Sequence, residues 1–538
     1  MDLVASPSLP PGWAEAHLSD FCHIVQGQSP PGDTYNTTGE GVPFFQGKSE
    51  FGPLYATPRK WCSAPTKMAA RDDILISIRA PVGPTNLCPE AACIGRGLAA
   101  IRPQGGVPIR YVLYGIHATE EKLAEKATGT TFEAISGDAL RTHRLTLAPL
   151  PEQHRIVAEI ERQFSLLDAG IANLKRVQAN LKRYRAAVLQ AACTGQLVPT
   201  EAELAEADGR PYEPAAMLLT RILAERRARW EAEQLAKMEA QGKLPLSGAW
   251  KAKYQEPAAP DIDGLPELPE GWGWAGLEQL LGLLRNGSSV VPDAAVGLAM
   301  LRISALRPLK VFLDDVRFVS DAKAKDCKEF YLTEGDLLFT RYNGNPDFVG
   351  VCGAVRVLPR PTVHPDKLIR GEVVHGLVSP LYLEAVLNAG ASRHFIRLRV
   401  KTTAGQAGVS GSDLKAVPVP LPPLAEQERI VAEVERRLSV VDNLEQVVKA
   451  NLKRAERLRQ AVLKEAFAGR LVPQDPANEP ASVLLERIKA EREAQAKAPA
   501  KSKVVAKKQR HHEQTDKAPR SLFDAEPFPE VEAISAGH

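Results

Sequence analysis

Asn345-Pro346-Asp347-Phe348 is the string in this chain whose residue types and spacing come nearest to a known chemical grip. An Asn or Asp, two prolines and an aromatic residue hold the flipped base in amino-methyltransferases. Here the third position is Asp347, not proline, and no Gly-rich strand turn for a cofactor precedes it, so the string reads as a Gly/Asn/Pro turn after a strand. The chain has no G-x-x-x-x-G-K-[ST] loop, no G-x-G-x-x-G after a strand, no H-E-x-x-H and no G-x-S-x-G elbow, which excludes the usual nucleotide cradle, zinc protease and serine nucleophile. The seven cysteines, Cys22, Cys62, Cys88, Cys93, Cys193, Cys327 and Cys352, are scattered without a C-x-x-C pair and read as reduced thiols. Cys88 and Cys93 lack the further Cys or His that would complete four ligands, so no metal is expected. No catalytic residue stands out, and the chain reads as one that recognises without transforming.

The elements that would position such a reader occur twice. EQHRIVAEIERQFSLLD begins at Glu152 and EQERIVAEVERRLSVVD at Glu426, and the same 274-residue offset carries Gly195, Leu197, Val198 and Pro199 onto Gly469, Leu471, Val472 and Pro473. This is an internal duplication with a period far too long for a solenoid. LPPGW at Leu9 returns as LPEGW at Leu268, and each opens a region of short apolar runs bounded by Gly or Pro. VPFF, DILISIR and GLAAIRP in the first region, and LAMLRIS, DLLFTR and VGVCGAVRVL in the second, read as strands. ISGDALRTHRLTLAPLP and VSGSDLKAVPVPLPPLA close the two regions alike.

In the repeated helices Ile160, Phe164, Leu167, Ile171, Leu174, Leu181 and Val188 recur at three- and four-residue steps, matched by Val434, Leu438, Val441, Val448, Ala455 and Val462. That spacing predicts a coiled-coil seam, interrupted by Gln178 and Arg185 in one copy and by Glu445 and Arg459 in the other. A helix of about 40 residues is a rod of roughly 60 Å, too long for one ordinary domain to cover, and its own copy is the expected partner. The fold class is therefore α+β: two mixed α/β domains related by pseudo-two-fold symmetry and separated by two long antiparallel coiled-coil helices. The expected organisation is a first domain over 1–150, a long helix over 151–199, a helical extension and linker over 200–265, a second domain over 266–423, a second long helix over 424–473, a helical extension over 474–493 and a disordered basic tail over 494–538.

The composition sets further bounds. A chain of 538 residues that is 44% hydrophobic and 25% charged is long enough for two to four well-buried domains, and a formal charge of +3 neither demands nor excludes nucleic acid. MDLVASPSLPPGW lacks a charged segment followed by an apolar one, and no uncharged apolar run approaches the ~20 residues of a membrane span, so a cytoplasmic location is expected.

In combination these strings resemble the specificity subunit of Type I restriction-modification systems. The resemblance rests on GQSPPGDTYNTTGEGVPFFQGKSEFG, GTTFEAISGDAL, GDLLFTRYNGNPDFVG, the two LPxGW openings and the doubled PLPEQHRIVAEI and PPLAEQERIVAEV helix starts, in duplicate order. It implies two target-recognition domains that each read one half of a split DNA sequence, and paired helices that bind two modification (methyltransferase) subunits. It also implies that S-adenosylmethionine, ATP and magnesium belong to the modification and restriction (translocase/nuclease) partners, with none held by this chain. The two halves have diverged, so the implied target on double-stranded DNA is asymmetric, and the rods would fix its spacer.

Direct readout needs Arg or Lys for guanine, Asn or Gln for adenine and small hydroxyls beside thymine, held on loops of a rigid scaffold. The first domain offers Gln46, Lys48, Arg79, Arg96, Thr130 and Thr131; the second offers Arg302, Arg341, Tyr342, Asn343, Asn345, Thr402, Thr403 and Gln406. Gln46 pairs with Arg302 and Arg79 with Arg341 at equivalent strand exits. A reading from another class is a duplicated coiled-coil scaffold with no DNA sequence specificity.

Overall fold

The computed structural model describes residues 9–127, 134–242, 245, 247–403 and 405–497. The chain divides into two compact units, one of Met1–Gly170 with Arg454–His538 and the other of Ile171–Lys453. Thr130, Thr131 and the basic tail after Lys497 lie outside the described residues.

The first unit is built on a four-stranded antiparallel sheet in the order Cys22–Gln26, Leu98–Pro103, Ile74–Ser77, Thr85–Leu87. The second repeats that order with Leu281–Asn286, Leu368–Val373, Leu337–Thr340 and Cys352–Ala354. Ile74, Leu75 and Ile76 are all fully buried, because the sheet is covered on both faces: Ile74 and Ile76 join one core cluster and Leu75 another. Leu337 and Phe339 likewise part from Leu338. This is why these strands read as unbroken apolar runs without polar alternation. Each carries a buried aspartate just before it. Asp73 accepts the Ala70 amide at 2.7 Å and both prongs of Arg102 at 2.7 and 2.8 Å; Asp336 accepts the Thr333 amide at 2.6 Å and lies 3.1 Å from Arg370.

Leu150–Cys193 and Leu424–Phe467 are each a single 44-residue helix. In the second unit Leu181 packs with Val441 and Val448, flanked by Leu174 and Leu452, while Val188 shares a core with Val434 and Leu438. Contacts climb one helix as they descend the other, so the pair is antiparallel. In the first unit Ile160 is buried with Leu463 and Ala466, and Phe164 and Val462 pack at the margin of that core. Leu167 and Ile171 are half-buried, and Ala455 is buried. Of the seam's polar interruptions, Arg185 and Arg459 correspond in the two copies and are paired alike. Arg185 pairs with Asp442 and, at 3.3 Å, with Glu445, and Arg459 pairs with Asp168 while stacking 4.9 Å over Phe164. Burial alone would raise Asp442, but Lys310 and Arg185 outweigh it and hold its carboxyl below the ordinary range.

The LPxGW openings have a structural use. Trp272 donates its indole N–H to Glu426 at 2.9 Å, and Trp13 does the same to Glu152 at 3.2 Å, so each tryptophan holds a buried carboxylate at the start of a long helix. Burial is the first cause that pushes both carboxyls up, against the indole bonds. The neighbouring Gln153 and Gln427 donate back to the carbonyls of Ala148 and Pro422, at 2.8 and 3.2 Å, and so cap the incoming strand.

A further helix beyond each rod docks on a sheet; after the first rod the short helix Glu201–Asp208 precedes it. Ala215–Ala240 buries Leu218 and Ile222 in the second unit's core and donates from Arg226 to the Leu281 carbonyl at 2.9 Å. Ala481–Lys497 buries Leu484 and Ile488 in the first unit's core and donates from Arg492 to the Cys22 carbonyl at 3.1 Å, on the matching strand. The stretch that follows Ala215–Ala240 folds back on it, with Trp250 stacked on Trp230 at 6.0 Å and Tyr254 at 5.3 Å from the same ring.

Candidate nucleic-acid interface

In the second unit, residues 341–343 and 401–408, far apart in sequence, form one small sheet. Tyr342–Asn343 pairs antiparallel with Gln406–Gly408, which pairs in turn with Lys401–Thr403. Tyr342, Asn343, Thr402, Thr403 and Gln406 therefore share a single platform, with Arg341 at its root. The Arg341 amide donates to the Lys367 carbonyl at 2.8 Å and its carbonyl accepts from Val409 at 3.0 Å. A Cβ on Gly408 would stand 2.5 Å from the Tyr342 ring, so glycine is what lets that ring lie across the strand.

The platform is cationic. Arg341 lies 4.8 Å and Lys367 5.1 Å from the Tyr342 ring centroid, and Arg307 lies 4.9 Å from that of Phe348. Arg341 has one marginal hydrogen bond within the protein, from Nη1 to the Asp366 carbonyl at 3.5 Å, and its buried Nε has no partner. Asn343 Oδ1 accepts the Asn345 amide at 2.9 Å, and Asn345 Oδ1 accepts the Asp347 amide at 3.0 Å. Both side-chain oxygens are turned onto their own backbone, which leaves the Nδ2 donors as the outward chemistry. Arg302 is not part of this sheet; it follows Leu298–Leu301 and pairs with Asp315 at 3.6 Å.

In the first unit the candidates gather around a parallel pair of strands, Val42–Phe45 beside Ala92–Ile94. Gln46 and Arg96 follow these two strand ends. The Gly95 amide bonds the Phe45 carbonyl at 2.8 Å, and Gly97 lies against the Gln46 carbonyl. Ile78 donates to the Gly97 carbonyl at 3.0 Å, which brings Arg79 to the same edge, and the Arg96 amide donates to Ser29 at 3.3 Å. Lys48, Arg79 and Arg96 are exposed. Arg79 bridges to Ala134, immediately after the undescribed segment that holds Thr130 and Thr131.

The residues that sequence reasoning missed are those that fix or extend these surfaces. Lys367 and Arg307 supply further cations, and Arg393 and Arg397 hold the turn at 345–348. No short motif marks them; only the distance from 307 to 397, closed by tertiary pairing, brings them to the platform.

Asn345–Phe348 is the start of a short 3-10 turn whose Asp347 carboxylate is paired with Arg397 at 2.5 Å. Among the described residues no three His, Cys, Asp or Glu side chains are placed to hold a metal. All seven cysteines are buried and unpaired; burial pushes the Cys88 thiol up to about 12, and it donates to the Glu90 carbonyl at 3.0 Å. Among the described residues no helix is long and apolar enough to cross a membrane.

Known proteins are similar to this chain in sequence. Residues 10–181 match the family described as Type I restriction modification DNA specificity domain. The chain is 27% identical over 517 residues, 91% of its length and 98% of the relative's, to the Type I restriction enzyme EcoKI specificity subunit of Escherichia coli K12. It is 34% identical over 192 residues, 35% of the chain and 44% of the relative, to the putative type I restriction enzyme MjaX specificity subunit of Methanocaldococcus jannaschii. Among solved structures, the HsdS subunit from Thermoanaerobacter tengcongensis is 46% identical over 32% of this chain and 42% of its own, with a TM-score of 0.29. The chain thus carries a match to the type I restriction modification DNA specificity domain over residues 10–181 and is similar along most of its length to a type I specificity subunit.

Proposed function

We propose that this chain is the non-catalytic subunit that sets the DNA target of a type I restriction-modification complex, each unit reading one half of an asymmetric bipartite site. The observation that carries the proposal is the repeat of one sheet topology in two units whose exposed or half-buried candidate residues differ: Gln46, Lys48, Arg79 and Arg96 in one, Arg341, Tyr342, Asn343, Thr402 and Gln406 in the other. A common frame with divergent donors and acceptors suits two different half-sites. Among the described residues Arg341 has no carboxylate within 4 Å and Lys367 has the adjacent Asp366 at 3.7 Å, so both side chains suit a base edge or a phosphate.

The long helices, ~66 Å each at 1.5 Å per residue, are proposed to fix the spacer between half-sites. They are also proposed to dock two modification subunits. Exposed apolar residues recur at the 274-residue offset, Leu166 with Val440 and Tyr184 with Leu458, and a repeated apolar stripe suits two copies of one partner. S-adenosylmethionine for adenine methylation, and ATP and magnesium for cleavage of unmethylated DNA with the restriction subunit, are assigned to those partners, and the complex to the cytoplasm. Selection from a random duplex pool by the full chain tests the reading. Enrichment of a split motif supports it; no sequence preference would favour a protein scaffold instead.

A further inference from the structure

The helix Gly390–Leu398 has no role in the reading residues themselves, yet it holds the turn that follows them. Arg393 reaches from that helix to donate to the Val349 carbonyl at 2.7 Å and the Asp347 carbonyl at 2.6 Å. One turn on, Arg397 binds the Asp347 carboxylate at 2.5 Å. Gly350, at φ +66°, lies so close to this helix that a Cβ would stand 2.4 Å from Ile396. The segment between the strands Tyr342–Asn343 and Cys352–Ala354 is thus pinned from one side at Asp347, Val349 and Gly350. Burial and the neighbouring Arg397 charge pull Arg393 down to about 10, so it remains charged at neutral pH. A half-buried cation committed to two carbonyls of an irregular turn is a costly way to hold a loop unless the loop's position matters.

We infer that Arg393 is a positioning residue for base readout by the second unit, fixing the Asn343–Asp347 turn through the Asp347 and Val349 carbonyls, with Arg397 and Asp347 as its outer brace. This accounts for the departure from the methyltransferase string: a proline at 347 would have no carboxylate for Arg397 to bind. The inference rests on the DNA-reading function proposed above.

The test uses the full chain and its own internal control, since the two half-sites are read by different units. Arg393→Lys keeps a cation but loses the two-pronged geometry, and Asp347→Asn removes the outer ion pair while leaving the Arg393 bonds to backbone. Each variant is selected against a random duplex pool, with a thermal melt to verify folding. The expected result for Arg393→Lys is a relaxation of discrimination of about tenfold at positions of the second unit's half-site only, with the other half-site unchanged and the melt still a cooperative transition; Asp347→Asn should relax the same positions by less. Unchanged discrimination, equal relaxation of both half-sites, or a uniform loss of affinity over all sequences would overturn the inference while leaving the DNA reading intact. Absence of any sequence preference in the unsubstituted chain would overturn the reading, and the inference with it.

Discussion

Replacing Arg341 by alanine separates base reading from charge attraction. The side chain contributes little to folding, since it makes one 3.5 Å hydrogen bond and a stack on Tyr342. An exposed cation–π contact is worth about 0.5–1 kcal/mol, which sets the expected stability cost. If the guanidinium donates to both acceptors of a guanine edge, its loss removes about 1–3 kcal/mol of discrimination at one base pair, roughly five- to 150-fold in relative affinity. The assay is competition binding with a panel of duplexes that carries each of the four base pairs at each position of the half-site, repeated at two salt concentrations. The expected signature is one relaxed position, with the remaining positions and the salt dependence nearly unchanged. Arg341→Lys, which keeps the charge but not the fork, should relax that same position. An equal loss on every duplex, with the salt slope reduced by about one ion, would mean that Arg341 binds phosphate and would refute the base-reading argument.

Three other outcomes follow from the same structure. Trp272→Phe leaves the buried Glu426 carboxylate with the Glu201 amide at 2.8 Å but without its indole donor, so chemical denaturation should register a loss of about 1–3 kcal/mol; a change under about 0.5 kcal/mol would deny the bond any weight. His143 and His364 are held down to about 4, first by burial, so the unfolded chain takes up their protons before the folded one does. Their stability contribution is complete above the ordinary value of 6.5 and is lost as pH falls toward 4, by about 2 kcal/mol per histidine between pH 7 and pH 5. Denaturation midpoints of His364→Gln across that range should show a shallower slope than the unsubstituted chain, and an identical slope would contradict the assignment. A seven-residue insertion in one long helix, two turns that keep the seam face, should lengthen the selected spacer or abolish binding with both half-site sequences unchanged; altered half-sites at constant spacing would count against the helices as a ruler.

Much of the frame was legible because it is local or repeated. Runs such as Ile74–Ser77 and Leu337–Thr340 are continuous apolar segments flanked by turn residues, and they fold as doubly covered strands. The polar breaks in the helical seam were visible too, although that Arg185 meets Asp442 and Arg459 meets Asp168 depends on antiparallel register, which one helix alone does not encode. LPxGW marked each domain opening without revealing that its tryptophan reaches a glutamate more than a hundred residues away. The platform of Tyr342–Asn343 and Gln406–Gly408 was harder still. TRYNGN and KTTAGQAG look like two separate loops, and only the pairing of Tyr342 with Gly408 makes them one surface. The helices after the rods carry near-identical Leu patterns, yet one packs in the second unit and the other in the first, a choice made by tertiary contacts of Leu218, Ile222, Leu484 and Ile488 and not by local spacing.

The central claim is that one chain sets a split DNA target for a methylating complex. Genome-wide mapping of methylated adenine, in cells with and without this chain, tests it most directly. One asymmetric bipartite motif, with a fixed spacer, is expected to be methylated only when the chain is present and to vanish as a unit when it is deleted. An unchanged methylation pattern after deletion, or loss of an unsplit motif, would contradict it.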